Sequence, residues 1–159
     1  MAGVKTSASA AEQYTDIEGA SVLQSFRKRL TSAQVLALFA TPVTVVPAPG
    51  TGRLVKVEFV QFLKPAGTAY VHATDLQLRY KTEGTVVAQL DSTAVLESAG
   101  RTRRVADAFQ AASNPSSQLG SAQENFAIEL FATVANPTTG NTVLDVIVWA
   151  RVLQSNFSF

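Results

Sequence analysis

The chain has no cysteine, one histidine, one methionine and one tryptophan in 159 residues. Each scarcity removes a class of chemistry. Without cysteine there is no disulfide scaffold, thiolate zinc site, iron–sulfur cluster or cysteine nucleophile. One histidine excludes a multi-histidine metal site and leaves His72 as the only imidazole for a nucleophile triad. Asp75, three residues on, sits at a strand start, so the pair reads as a solvated histidine beside a surface acid. Charge of one sign is also missing: 13 basic residues face 12 acidic ones, net +1, without the basic excess of a free nucleic-acid binder. No apolar run reaches the roughly 18 residues of a membrane span. Met1-Ala-Gly-Val-Lys-Thr-Ser-Ala8 carries no apolar signal segment, which predicts synthesis in the cytoplasm.

What is present is small and β-branched. Ala, Val, Thr and Ser supply 72 residues, close to half, whereas Lys and Glu number only five and seven. Branching at Cβ restricts χ1 and packs well on a pleated surface, so Val and Thr favour sheet. Leu, Ile, Val and Phe make up 45 residues, enough for one real core.

Three regions follow. Residues 1–19 include the low-complexity Ser7-Ala-Ser-Ala-Ala11 and read as an extended N-terminal arm. From residue 20 to 153 apolar residues recur with period two, the signature of half-buried strands. Residues 154–159 form a polar tail with Phe157 and Phe159. Within the domain, Leu54–Lys64 predicts a strand with Val55, Val57, Phe59 and Leu63 inward, and Val60, Phe62 and Lys64 outward. Asp75–Lys81 alternates with Leu76, Leu78 and Tyr80 inward. Thr31-Ser-Ala-Gln34 is a capping box that opens a short helical turn. Ala94–Leu96 reads as a weak strand and Arg101–Phe109 as a strand or one helical turn. Residues 110–123 form a loop long enough to suggest function. About eight strands without long helices predict an all-β, antiparallel two-sheet sandwich. A jelly roll of about eight strands leads, with an immunoglobulin-like sandwich as the alternative.

Catalytic patterns are weak. Glu58, Asp75, Glu129 and Asp145 fall on the solvent faces of strands and read as surface charge rather than a glycosidase pair. Pro49-Gly-Thr-Gly-Arg53 lacks the Gly-Lys-Ser/Thr ending and the following helix of a phosphate loop. The terminal Phe157-Ser-Phe159 resembles the end of an outer-membrane barrel strand, but arginines within strands oppose a lipid-facing band. The chain is therefore expected not to be an enzyme, with no catalytic, cofactor-binding or metal residues and no nucleic-acid or membrane partner.

The informative residues are apolar ones on the outward side. Alternation points Phe62, Phe131, Ile147 and Trp149 away from the core, and a cluster of Trp with Arg is what interface centres contain. Arg101, Arg103 and Arg104 form a basic group able to grip carboxylates. These residues, with Phe157 and Phe159, are the candidate interface.

Short phrases carry a resemblance. Leu30-Thr-Ser-Ala-Gln-Val-Leu-Ala-Leu38, Thr41-Pro-Val-Thr-Val-Val-Pro-Ala-Pro-Gly50, Gly67-Thr-Ala-Tyr70 before Asp75–Tyr80, and the hairpin Asn136-Pro-Thr-Thr-Gly-Asn141 resemble small virion proteins of tailed bacteriophages. The resemblance implies a head decoration (cement) protein of β-sandwich or jelly-roll fold. Its partners would be the major capsid protein and itself, as homodimer or homotrimer, on the capsid surface of the virion. A receptor- or carbohydrate-binding module of the phage tail is the alternative.

Overall fold

The computed structural model describes residues 22–71, 75–107 and 123–154, apart from the side chain of Asp107. The arm, His72, the tail beyond Gln154 with Phe157 and Phe159, and all of the 110–123 loop but Gln123 lie outside the described residues.

Strand β1 (Leu23–Leu30) leads into helix α1 (Ser32–Leu36), then β2 (Val43–Val46) and β3 (Arg53–Lys64). A two-residue strand β4 (Tyr70–Val71) precedes β5 (Asp75–Tyr80) and β6 (Val86–Asp91). After a 3₁₀ turn (Ser92–Ala94) come β7 (Thr102–Asp107), β8 (Ile128–Ala132), the short β9 (Thr138–Thr139) and β10 (Leu144–Gln154). The capping box is formed: Thr31 N donates to Gln34 Oε1 at 3.0 Å, and Gln34 N donates to Thr31 Oγ1 at 3.3 Å. Residues 94–96 belong to the 3₁₀ turn and its exit rather than a strand, with Val95 and Leu96 buried beneath it. The segment from Thr102 is a strand.

Pairing defines the topology. β5 and β6 form a hairpin; moving outward along the chain, β3 pairs with β7, β2 with β8 and β1 with β10, all antiparallel. Four nested strand pairs of this kind, rolled on themselves, are the connectivity of a jelly roll. The roll closes where β10 also pairs with β3 and β8 with β5, giving sheets β1-β10-β3-β7 and β2-β8-β5-β6. Between them lies one core, with Phe26, Leu30, Val60, Phe62, Val146 and Val148 from the first sheet against Leu76, Leu78, Tyr80, Ile128 and Leu130 from the second. The buried Tyr80 hydroxyl donates to the Val55 carbonyl across this core, and burial pushes its pKa up.

Strand β3 departs from simple alternation. Phe59 lies opposite Trp149 but Val57 lies opposite Ala150, so Glu58 is an extra residue. Such a bulge inverts the facing of everything beyond it. Val55 and Val57 point inward as expected, but past the bulge Val60 and Phe62 are in the core, Phe62 only 1% exposed, while Phe59 and Leu63 turn outward. Phe62 is thus a core residue and not part of an outer surface. Lys64 follows the same shift: it is buried, its ammonium donates to the Ser98 carbonyl at 2.7 Å and the Pro65 carbonyl at 3.3 Å, and burial pushes its pKa down.

Candidate functional site

In a sandwich, side chains that do not enter the core stand on two outer faces pointing away from each other. Here each face carries its own aromatic group held among charged residues.

On the first sheet, β10 supplies Asp145, Ile147, Trp149 and Arg151 to the outside, alternating with the buried Leu144, Val146, Val148 and Ala150. Trp149 stacks on Phe59, with ring centroids 4.5 Å apart and planes within 16°. The bulge at Glu58 makes this stack, because without it Phe59 would face inward. Ile147 sits one row along, between Arg27 of β1 and Gln61 of β3. Asp145 takes a bidentate grip from Arg29, with both contacts at 2.8 Å, and a further bond from Arg27 at 3.1 Å. The Arg29 hydrogen bonds hold its carboxyl below the usual range, partly opposed by burial and helped by Arg27. At the other end Glu58 is shared by Arg151 at 3.1 Å and Lys56 at 3.3 Å. On β3, Gln61 with its amide oxygen turned toward Arg103 accepts from Nε at 2.6 Å and Nη2 at 2.8 Å. Asp145 and Glu58 therefore each serve two cations. Among the described side chains Arg27, Arg29, Lys56, Arg103 and Arg151 outnumber Asp145 and Glu58, and the stacked aromatics lie among them.

On the second sheet Phe131 is half-buried beneath Arg79, whose guanidinium carbon lies 3.8 Å from the ring centroid. Arg79 is oriented by Glu129, with Nε to Oε1 at 2.8 Å. Phe39, exposed beyond helix α1, completes the group at 5.7 Å from Phe131. Asn136 Oδ1 fixes that corner by accepting from the backbone N–H groups of Phe39 and Ala40 at 2.9 and 3.0 Å. Asp75 and Asp91 are cross-strand neighbours on the same face. Asp75 accepts from Gln89, and Asp91 accepts from the backbone N–H and hydroxyl of Thr93, which hold its carboxyl below the usual range. Within the strands of this sheet Asp75, Asp91 and Glu129 outnumber Arg79, so the face is acidic on balance.

The structure thus separates residues that alternation alone grouped together. Ile147 and Trp149 share one face; Phe131 is on the opposite one; Phe62 is inside. The basic group is divided as well. Arg101 is exposed before β7 and Arg103 reaches over the first face to Gln61. Arg104 points to the other side of the strand, opposite Phe62, and donates to the Ala94 carbonyl at 3.2 Å. The residues that alternation missed are Phe59, Phe39 and the two carboxylates Asp145 and Glu129, each only 6% exposed beneath guanidinium groups. A trace of Phe59 does exist in the sequence: the apolar doublet Phe59-Val60 interrupts a strand of period two.

Together these features define an antiparallel jelly-roll sandwich whose two outer faces each present an aromatic group among ordered charges. No protein-family model matches the chain, and no curated protein or solved structure matches it either.

Proposed function

We propose that the protein is a structural virion component, a head decoration (cement) protein that assembles with itself on a capsid and stabilises the shell. The observation that supports this reading is the Phe59–Trp149 stack on an outer sheet face, set among paired arginines. A rigid sheet bearing an aromatic centre and an ordered polar rim is suited to protein–protein contact, where Trp, Tyr and Arg carry most of the binding energy. Exposed Arg101 and Arg103, at the β7 end, suit an acidic patch on a capsid subunit. Contacts made only with the assembled shell stabilise it by mass action, and many weak contacts add as avidity.

The test is co-sedimentation of purified protein with capsids of tailed phages lacking their decoration, followed by heat challenge of the particles. The expected result is saturable binding in proportion to the number of capsid subunits, with particles surviving to higher temperature. Failure to bind capsids, or incorporation of only a few copies at the tail, overturns the proposal.

A further inference from the structure

The two outer faces are opposite in charge as well as in direction. The first sheet carries its aromatic stack among Arg27, Arg29, Lys56, Arg103 and Arg151, which outnumber Asp145 and Glu58; the second carries Phe131 and Phe39 beside Asp75, Asp91 and Glu129, which outnumber the Arg79 lying over Phe131. An isologous contact, in which the same patch meets itself across a two-fold axis, would set two faces with an excess of the same charge against each other. Like charges placed together in an interface are strongly unfavourable. Pairing one face with the other sets the excess of positive charge against the excess of negative charge and buries both aromatic groups.

We infer that copies of this chain associate head to tail, the basic face of the β1-β10-β3-β7 sheet on one protomer docking against the acidic face of the β2-β8-β5-β6 sheet on the next. The occupant of each face is a second copy of the chain. The inference rests on the self-assembly part of the proposed function and not on capsid binding. Sheet-on-sheet contact of this kind places side chains from the two faces in one layer about 10 Å thick. In that layer Trp149 meets Phe131 and the Arg79 guanidinium that lies over it, with Arg27 and Arg103 available to Asp75 and Asp91. A head-to-tail contact leaves one face of each kind open at the ends, so it either closes into a ring or continues as a stack.

Two full-length variants test this. One carries Arg103→Glu with Trp149→Ala on the basic face; the other carries Asp75→Lys with Phe39→Ala on the acidic face. Sedimentation velocity at about 100 µM, a range that populates contacts of modest affinity, reads the mass, and thermal melting confirms that both variants are folded. The wild type is expected to associate, each variant alone to sediment as a monomer, and an equimolar mixture to form heterodimers and nothing larger. Each heterodimer joins the one intact basic face to the one intact acidic face. A wild type that remains monomeric, a single variant that still dimerises alone, or a mixture that stays monomeric each overturns the inference. If one variant fails to fold, salt dependence of the wild type decides instead. Raising salt from about 50 to about 500 mM should weaken association roughly tenfold or more, because charges across the contact are screened; association unchanged by salt overturns the head-to-tail pairing. A monomer that binds capsids would sink this inference alone, whereas head-to-tail assembly without capsid binding would sink the decoration reading alone.

Discussion

A methyl group at Gly140 has nowhere to go. The residue has φ of +72°, and a Cβ there would lie 2.2 Å from the ring of the buried Tyr70. Tyr70 cannot retreat, because its hydroxyl donates to the Thr142 carbonyl and its strand pairs with β9. Gly140→Ala is expected to cost about 3 kcal/mol or more in urea unfolding, from the clash added to left-handed strain. Gly84 is the control: its φ is +83° but a Cβ there meets nothing within 4 Å. Gly84→Ala should cost only the backbone strain of about 1–2 kcal/mol, and equal costs at the two sites would mean that Tyr70 does move. Asp145 makes a second case at this scale. Its carboxyl is held below the usual range, first by Arg29, so it contributes stability above the unfolded value near 4. That contribution is lost as the pH falls through the lower folded value. Urea midpoints measured between roughly pH 5 and 2 should therefore fall less steeply for Asp145→Asn than for the wild type. Parallel slopes would show that the pairing adds nothing to stability.

Strand β3 shows what a single element can hide from its own sequence. In Val57-Glu-Phe-Val-Gln-Phe-Leu-Lys64 both phases of alternation place apolar residues on one side, so the pattern does not say which side is buried. The bulge settles it, and a bulge is a property of the partner strand's register as much as of β3. By contrast β5 is legible throughout, since Leu76, Leu78 and Tyr80 alternate with Asp75, Gln77 and Arg79 and admit one phase only. The capping box of α1 is legible too, because it is closed within four residues. Glu129 and Asp145 were legible as outward-facing but not as buried. Alternation gives the side of a strand, not the guanidinium that another strand lays over it. Deleting Glu58 should remove the bulge and swing Val60, Phe62 and Lys64 out of the core, leaving a chain without a cooperative thermal transition. Glu58→Gln keeps the residue count and loses only partly exposed ion pairs, so it should melt with a stability change within about 1 kcal/mol of wild type. A folded deletion variant with native melting would show that the bulge migrates to a neighbouring residue at little cost.

For the molecule as a whole, what the sequence could not disclose was which strands are neighbours. Alternation assigns Phe131 and Trp149 the same outward sense, but β8 and β10 fall in different sheets, and the core places their outer sides back to back. The jelly-roll pairing is set by contacts between segments far apart in the chain, such as β1 with β10, and these leave no local pattern. This separation has a measurable consequence for energetic coupling. Phe131→Ala and Trp149→Ala remove half-buried aromatics with no shared neighbour, each costing about 1–2 kcal/mol, less than the 3–5 of a fully buried aromatic. Their effects should add within about 0.5 kcal/mol in the double variant. Phe59→Ala with Trp149→Ala removes both halves of one stack, and that pair should show a coupling of about 0.5–1.5 kcal/mol. Chemical denaturation of the four single and double combinations at low protein concentration, where association is absent, measures both terms. If the opposite-face pair couples as strongly as the stacked pair, the core between the sheets transmits strain from one face to the other, and binding at one face would then alter the affinity of its opposite.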